Sequence, residues 1–154
     1  MKKSVIVGGS AVAILAAALF FFVSTQLVSI QSADTITLTQ TISIAQTSVR
    51  VAVADTPTLR SSGLSGYRGL AGDEGMLFIF EEDGMHSFWM KDMRFPIDIL
   101  WISSDGRVVF IEKEVSPETF PKSFTPATPA RYVLEVEAGF VEKHGIEIGD
   151  STVF

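Results

Sequence analysis

The chain has 154 residues, with 12 basic and 18 acidic side chains and a formal charge of −6 at neutral pH. It contains no cysteine, which excludes disulfide bonds, thiolate nucleophiles and cysteine-ligated zinc. Both basic residues that precede Asp34 lie at the amino terminus, so the remaining 121 residues carry a charge of −8. A domain of this charge without a basic stripe is not expected to bind nucleic acid, and its length suffices for one hydrophobic core.

The amino terminus carries the pattern of a membrane segment. Lys2 and Lys3 precede an uncharged run of 19 residues, Val5–Val23, which is close to the length of a membrane-spanning helix. By the positive-inside rule, residues 1–4 are cytoplasmic, 5–23 form a transmembrane signal-anchor helix, 24–34 form a tether and 35–154 form an extracytoplasmic domain. The alternative is a cleaved signal peptide, whose apolar region is normally shorter, about 7–15 residues. Both alternatives export the domain.

The first half of the domain alternates strand and turn signals. Ile36, Leu38, Ile42 and Ile44 all fall on even positions, which predicts a strand near residues 35–45. Capping and glycine signals predict a short helix from Asp55, followed by an irregular glycine-rich segment. The other predicted strands here are 49–54, 76–80, 86–90 and 97–102, with an acidic turn at 81–84. A charged turn at 91–96 would join the last two as a central pair.

The second half continues the same pattern. Ser103–Gly106 predicts a hairpin turn that leads to a strand at 107–113. Four prolines predict an extended arm over 116–129. In a strand at 131–138, Tyr132, Leu134 and Val136 alternate with Arg131, Glu135 and Glu137, which predicts that the second set faces outward. A helical turn at 139–145 and a strand at 151–154 follow. The fold class is mainly β, a compact β-sandwich or partly open barrel with one or two short helices.

Several short motifs resemble those of the DUF192 (UPF0127) family, in the same order and at similar spacing. They are Arg60-x-x-Gly63-Leu64, Gly75–Phe80, Phe88–Asp92, Pro96–Ile99, Pro129–Val136 and Gly145-Ile146-x-x-Gly149-Asp150. The resemblance runs from about Val49 to Phe154. It implies a compact, mainly-β domain, often exported or membrane-tethered, without an established biochemical activity. Ser65 and the run Lys91-Asp92-Met93 depart from the residues usual in that family.

Five residues are candidates for a ligand-binding cleft: Arg60, Trp89, Lys91, Asp98 and Arg131. The expected ligand of this polar cleft is small and either anionic or sugar-like. An exposed tryptophan beside charged groups is suited to a sugar face or a cation. The structural alternatives are that Trp89 belongs to the core and that Asp98 is buried. A buried Asp98 would pair with an arginine or with backbone N–H groups near Pro96.

Three functions remain open on the sequence alone. The first is a non-catalytic ligand- or partner-binding module of the cell envelope. The second is a hydrolase or lyase acting on envelope glycan, with Asp98 and a second carboxylate as acid and base. The third is a purely structural envelope domain. No catalytic motif, cofactor motif or metal-ligand pattern is present, and His86 and His144 are too isolated in sequence to predict a zinc site.

Overall fold

The computed structural model describes residues 36–154. The cytoplasmic end, the membrane span and the tether that the sequence predicts lie outside the described residues. Within residues 36–154, no helix combines the length and the apolar character needed to cross a bilayer.

The described residues form a mainly-β domain, as the sequence predicts. It contains nine strands, two short α-helices and one 3-10 turn at Pro117–Thr119. The elements in chain order are β1 (Gln40–Ile44), β2 (Thr47–Ala54), α1 (Pro57–Ser62), β3 (Glu74–Gly84), β4 (Phe88–Trp89), β5 (Ile97–Ile102), β6 (Val108–Val115), β7 (Ser123–Phe124), β8 (Ala130–Glu137), α2 (Phe140–His144) and β9 (Thr152–Val153).

Seven of these strands form one curled sheet in the order β6-β5-β8-β3-β2-β1-β9, and β4 and β7 form a separate pair. Only β2 and β3 are parallel within this described sheet, because α1 connects them. The two ends of the sheet approach each other at an isolated bridge between Arg107 and Ser151. There the Thr152 N–H donates to the Gly106 carbonyl at 2.6 Å. The sheet is therefore a partly open barrel, one of the two predicted architectures.

Both faces of the sheet are buried. The inner-face cluster takes apolar side chains from strands along the whole sheet, as the interior of a curled sheet does. Its members include Ile42, Val51, Leu77, Leu100, Val108, Leu134 and Phe140. The outer-face cluster includes Ala54, Phe78, Met90, Ile99, Trp101, Phe124 and Val133. Because β5 contributes to both clusters, all six of its residues are buried.

Three local predictions are wrong. The acidic segment 81–84 continues β3 instead of turning. The strand predicted at 86–90 is only Phe88–Trp89, and it pairs with β7 instead of β5. Part of the reason is that the His86 carbonyl accepts the Trp101 indole N–H at 2.8 Å. A longer β4 would need this carbonyl for hydrogen bonds to a neighbouring strand. The third error concerns Glu135, which was expected to face solvent and is buried.

The helix signals in the sequence are confirmed. The Thr56 hydroxyl accepts the Leu59 N–H at the start of α1, and a proline occupies its first turn. Helix α2 ends at Gly145, whose φ of 61° is the left-handed conformation that glycine adopts most readily. The predicted strand at 35–45 is present as β1, which pairs with β2 and β9.

Candidate functional site

A cavity of about 360 Å³ lies on the outer face of the sheet. This volume is within the range of small-molecule sites in proteins, about 300–1,000 Å³. Strands β3 and β8 form its floor, and its walls come from α1 with the residues after it and from the segment around β4. The lining residues are Arg60, Ser61, Ser62, Gly63, Leu64, Ser65, Phe78, Phe80, His86, Ser87, Phe88, Trp89, Met93 and Glu135.

Two hydrogen bonds tie the two walls together. The Ser65 hydroxyl donates to the Lys91 carbonyl at 2.9 Å. The Gly66 N–H donates to the Asp92 carbonyl, also at 2.9 Å. These bonds hold the start of the glycine-rich segment against the turn that follows β4. The segment therefore has a definite structural task, which is to close one side of the cavity.

Aromatic rings make up most of the apolar wall. Phe88 packs edge-on against Phe78, with ring centroids 4.8 Å apart, and against Trp101 at 5.9 Å. Phe80 stacks on the His86 ring with a centroid distance of 3.5 Å. Such interlocked pairs fix ring orientation, so the wall is largely preformed.

Trp89 stands at the mouth of the cavity. It is 53% exposed, although it touches the Phe120 ring at a centroid distance of 5.9 Å. Most of the ring is therefore available to a ligand, and the alternative that Trp89 belongs to the core does not describe it.

Glu135 is the only carboxyl-bearing residue that lines the cavity within the described part of the chain. Its strand partners on the two sides are Met76 and Ile99, both buried. The residue is 5% exposed, and its Oε2 atom is buried without a hydrogen-bond partner among residues 36–154. A carboxyl group in such a place loses its hydration without replacement.

Burial alone raises the pKa of Glu135 from its ordinary 4.5 to about 8. No neighbouring charge contributes to this change, so Arg60 does not act on the carboxyl as a counter-ion. At neutral pH the group is mostly protonated, and a bound cation would favour its ionised form. Perturbed titration in a concave site is a feature of functional carboxyl groups.

Arg60 lines the same cavity but is held by backbone groups. One of its terminal nitrogens donates to the carbonyls of Asp55 and Ile79, at 2.7 and 2.8 Å. The guanidinium carbon lies 5.2 Å from the centroid of the Phe80 ring, a cation–π arrangement. Arg60 therefore stiffens the wall, and it forms no ion pair with Glu135 in the described residues.

The structure brings only two of the five sequence candidates to the cavity, Arg60 and Trp89. Lys91 is exposed beyond the wall, where its carbonyl accepts the Ser65 hydroxyl. Arg131 forms an ion pair with Asp83 at 2.8 Å. Asp98 lies on a different strand and its side chain joins the inner face of the sheet.

Asp98 is fully buried and accepts two backbone N–H groups. One is from Glu114, at 2.7 Å, where an extra residue in β6 forms a bulge opposite β5. The other is from Val141 in the first turn of α2, at 2.9 Å. The residue before that helix is Gly139, which has no side chain to cap it, so Asp98 supplies the cap from a distant strand. The burial and the backbone N–H partners agree with the structural alternative given above for Asp98, but these donors belong to β6 and α2 and not to the turn at Pro96.

The floor of the cavity could not be assembled from local sequence patterns. Glu135, Phe78 and Phe80 come from strands that are neighbours only in space. One sequence signal was available, because the apolar run Met76–Phe80 is typical of a strand covered on both faces. A strand that pairs with this run, as β8 does, would be expected to have two buried faces as well. Among the described residues, no group of three or more metal-ligating side chains is close enough to hold a metal ion.

Residues 38–154 match the model of the DUF192 family, described as an uncharacterised group. A crystal structure of a candidate transcription regulator from Sinorhizobium meliloti 1021 is 31% identical, with a TM-score of 0.71 over 77% of this chain and 96% of that one. A protein of unknown function from Novosphingobium aromaticivorans DSM 12444 is 25% identical, with a TM-score of 0.72 over 80% and 94%. None of the curated proteins matches the chain. The family match includes β1 and covers the whole described sheet, and the chain therefore belongs to the DUF192 family.

Proposed function

We propose that this domain is a non-catalytic binding module that holds a small molecule in the aromatic cavity. The observation that carries the proposal is that Glu135 lines the cavity, and that its buried Oε2 atom has no hydrogen-bond partner among the described residues. A hydrophobic residue at this position would pack against Met76 and Ile99 without the loss of hydration. A ligand that hydrogen-bonds to the carboxyl accounts for its presence.

The geometry favours binding over glycan hydrolysis. Glycosidases commonly use two carboxyl groups about 5–9.5 Å apart on either side of the scissile bond. In the described part of the chain, Glu135 has no second carboxyl beside it on the cavity wall. Asp98, the carboxylate that the sequence suggested for this role, accepts two backbone N–H groups on the other face. The preformed cavity also favours binding over a purely structural domain.

We propose further that the module works outside the cytoplasm, attached to the membrane through Val5–Val23. The uncharged run and the two lysines before it support this location. The Sinorhizobium relative is described as a candidate regulator of transcription. The charge of −8 from Asp34 onward supports a small-molecule partner in preference to DNA.

The test is a thermal-shift titration of the full-length chain in mild detergent with N-acetylglucosamine, inorganic phosphate and 2-phenylethylamine as probes. At least one probe is expected to raise the melting temperature in a saturable manner. Trp89→Ala should weaken that response at least fivefold, because the ring forms the mouth of the cavity. Ile148→Ala is the matched control, since Ile148 is an exposed apolar residue outside the cavity. Equal weakening by both variants, or no saturable response to any probe, would refute the proposed function.

A further inference from the structure

The chemistry of the cavity floor restricts what it can bind. Glu135 offers one buried carboxylate oxygen, Oε2, that no N–H or O–H group of the described protein reaches. Its flanking partners in the sheet, Met76 and Ile99, supply only apolar atoms. A ligand group that donates hydrogen bonds and carries a positive charge would satisfy this oxygen best, because charge-assisted hydrogen bonds are about twice as strong as neutral ones.

The walls favour the same class of ligand. Phe78, Phe80, Phe88 and Trp89 all line the cavity. The faces of aromatic rings carry negative electrostatic potential, and enclosures of such rings recognise ammonium groups. Arg60 and His86 already lie against the Phe80 ring, so Phe88 and the exposed Trp89 are the rings best placed to meet a ligand cation. The acidic domain as a whole also attracts cations.

Among the described residues, two other charged or titratable residues line the cavity, Arg60 from α1 and His86 from the segment before β4. Arg60 is bound to two carbonyl oxygens. It does not offset the effect of burial, which is the one cause of the raised pKa of Glu135. His86 stacks on Phe80, and its Nε2 lies 3.2 Å from the Glu82 carbonyl. The strands on either side of β8 place only apolar side chains next to Glu135 on this face, and Asp98 on β5 points to the opposite face.

We propose that the ligand is a small organic cation with a primary ammonium group, which pairs with Glu135 at the floor of the aromatic cavity. This inference rests on the proposed binding function and adds the ligand's chemical class. It differs from the anionic or sugar-like ligand that the sequence suggested. That expectation depended on Lys91 and Arg131, which do not line the cavity.

Binding of such a cation is coupled to release of a proton. Because burial raises the pKa of Glu135 to about 8, the carboxyl is mostly protonated at pH 7. Binding then releases about 0.9 proton per site at pH 7. The affinity for a permanently charged amine rises about tenfold per pH unit from pH 5.5 to 7.5, and it levels off above about pH 8. A neutral ligand that binds by apolar contact alone shows neither effect.

The experiment is isothermal titration calorimetry of the full-length chain in mild detergent with 2-phenylethylamine. The matched neutral probe is 2-phenylethanol, which has the same size and shape with a hydroxyl in place of the ammonium group. Titrations at pH 5.5, 6.5, 7.5 and 8.5 give the pH profile. Repeating the pH 7 titration in two buffers with different ionisation enthalpies gives the number of protons released.

We expect the amine to bind at least tenfold more tightly than the alcohol at pH 7.5. Glu135→Gln keeps the size of the side chain and should lower amine affinity at least 30-fold, abolish the proton release and flatten the pH profile. His86→Gln is tested as well, because His86 and Arg60 are the other ionisable residues of the cavity lining in the described part of the chain. It should retain the tenfold rise per pH unit, whatever its absolute affinity.

The outcomes separate this inference from the binding function on which it rests. Equal affinities for the amine and the alcohol, or a Glu135→Gln variant that keeps its amine affinity, would refute the inference that the ligand is a cation paired with Glu135. The proposed binding function would still stand. A pH profile that flattens in His86→Gln and persists in Glu135→Gln would overturn the assignment to Glu135. If neither probe, nor N-acetylglucosamine, nor phosphate binds the wild-type chain, the binding function itself fails.

Discussion

Replacing Glu135 with glutamine should make the stability difference from wild type depend on pH, and the difference should move in favour of the variant as the pH rises. In the folded state burial raises the pKa of this carboxyl from 4.5 to about 8. Each pH unit between these values corresponds to ~1.4 kcal/mol of differential stability, so the full effect is about 5 kcal/mol. At pH 7 it is about 3 kcal/mol. The contribution of this residue to stability is most favourable below pH 4.5 and is lost as the pH rises to 8, because folding then requires an extra proton or a buried negative charge.

Urea unfolding of wild type and Glu135→Gln at pH 5, 7 and 8.5 measures the effect. The glutamine amide is itself buried, so a constant difference between the two proteins carries no information, and the test is how that difference changes with pH. Between pH 5 and 8.5 the advantage of the variant should grow by about 4 kcal/mol. Glu137→Gln is the control, since Glu137 is exposed on the same strand. Its difference from wild type should change little over this range.

The reasoning is wrong if the free-energy difference between Glu135→Gln and wild type is the same at pH 5 and pH 8.5. A constant difference would mean that the carboxyl has an ordinary pKa in the folded state. The oxygen that lacks a protein partner would then be hydrated, and the argument for a ligand that satisfies it would lose its basis.

Two further substitutions test how the sheet is held together, each by urea unfolding at pH 7. Asp98→Ala should destabilise the domain by about 3–5 kcal/mol, because it leaves the buried Val141 N–H and the partly buried Glu114 N–H without an acceptor. Asp98→Asn keeps one acceptor oxygen and should lose less. A similar loss for both variants would contradict this role. Gly75→Ala places a methyl group 2.7 Å from the Glu135 carbonyl oxygen and should cost about 1–3 kcal/mol of stability. Gly72→Ala should be nearly neutral, because the nearest neighbour of its methyl group is a lysine nitrogen at 3.9 Å. Equal stability of the two alanine variants would show that β3 and β8 are not closely packed at Gly75.

The fold class was readable from the sequence because it depends on local patterns. The hairpin at Ser103–Gly106, the cap at Thr56 and the strand at 97–102 each follow from a few adjacent residues. Strand partners are different, since the contacts that select them are distant in sequence. Phe88–Trp89 pairs with Ser123–Phe124, 35 residues later, and no local pattern distinguishes this partner from the nearer β5.

The floor of the cavity escaped prediction for a related reason. Alternation in β8 separates its side chains into two faces correctly, with Leu134 and Val136 on one side and Glu135 on the other. It does not say what covers each face. Because β8 lies between β5 and β3, and because α1 and β4 lie over the second face, a charged residue there is buried. The alternation of a strand therefore predicts on which side of the sheet a polar side chain lies, but it does not predict that this side is exposed to solvent.

The pairing of β1 with β9 makes the first and last strands of the described domain neighbours. If a short linker joined the end of β9 to the start of β1, the chain of the domain would be circular and could be opened at a different turn. A circularly permuted chain that begins within the exposed turn at Ser104–Asp105 would keep every strand pair and the whole cavity. The architecture thus depends on which strands pair and not on their order along the chain, so the domain could be inserted into another protein through either junction.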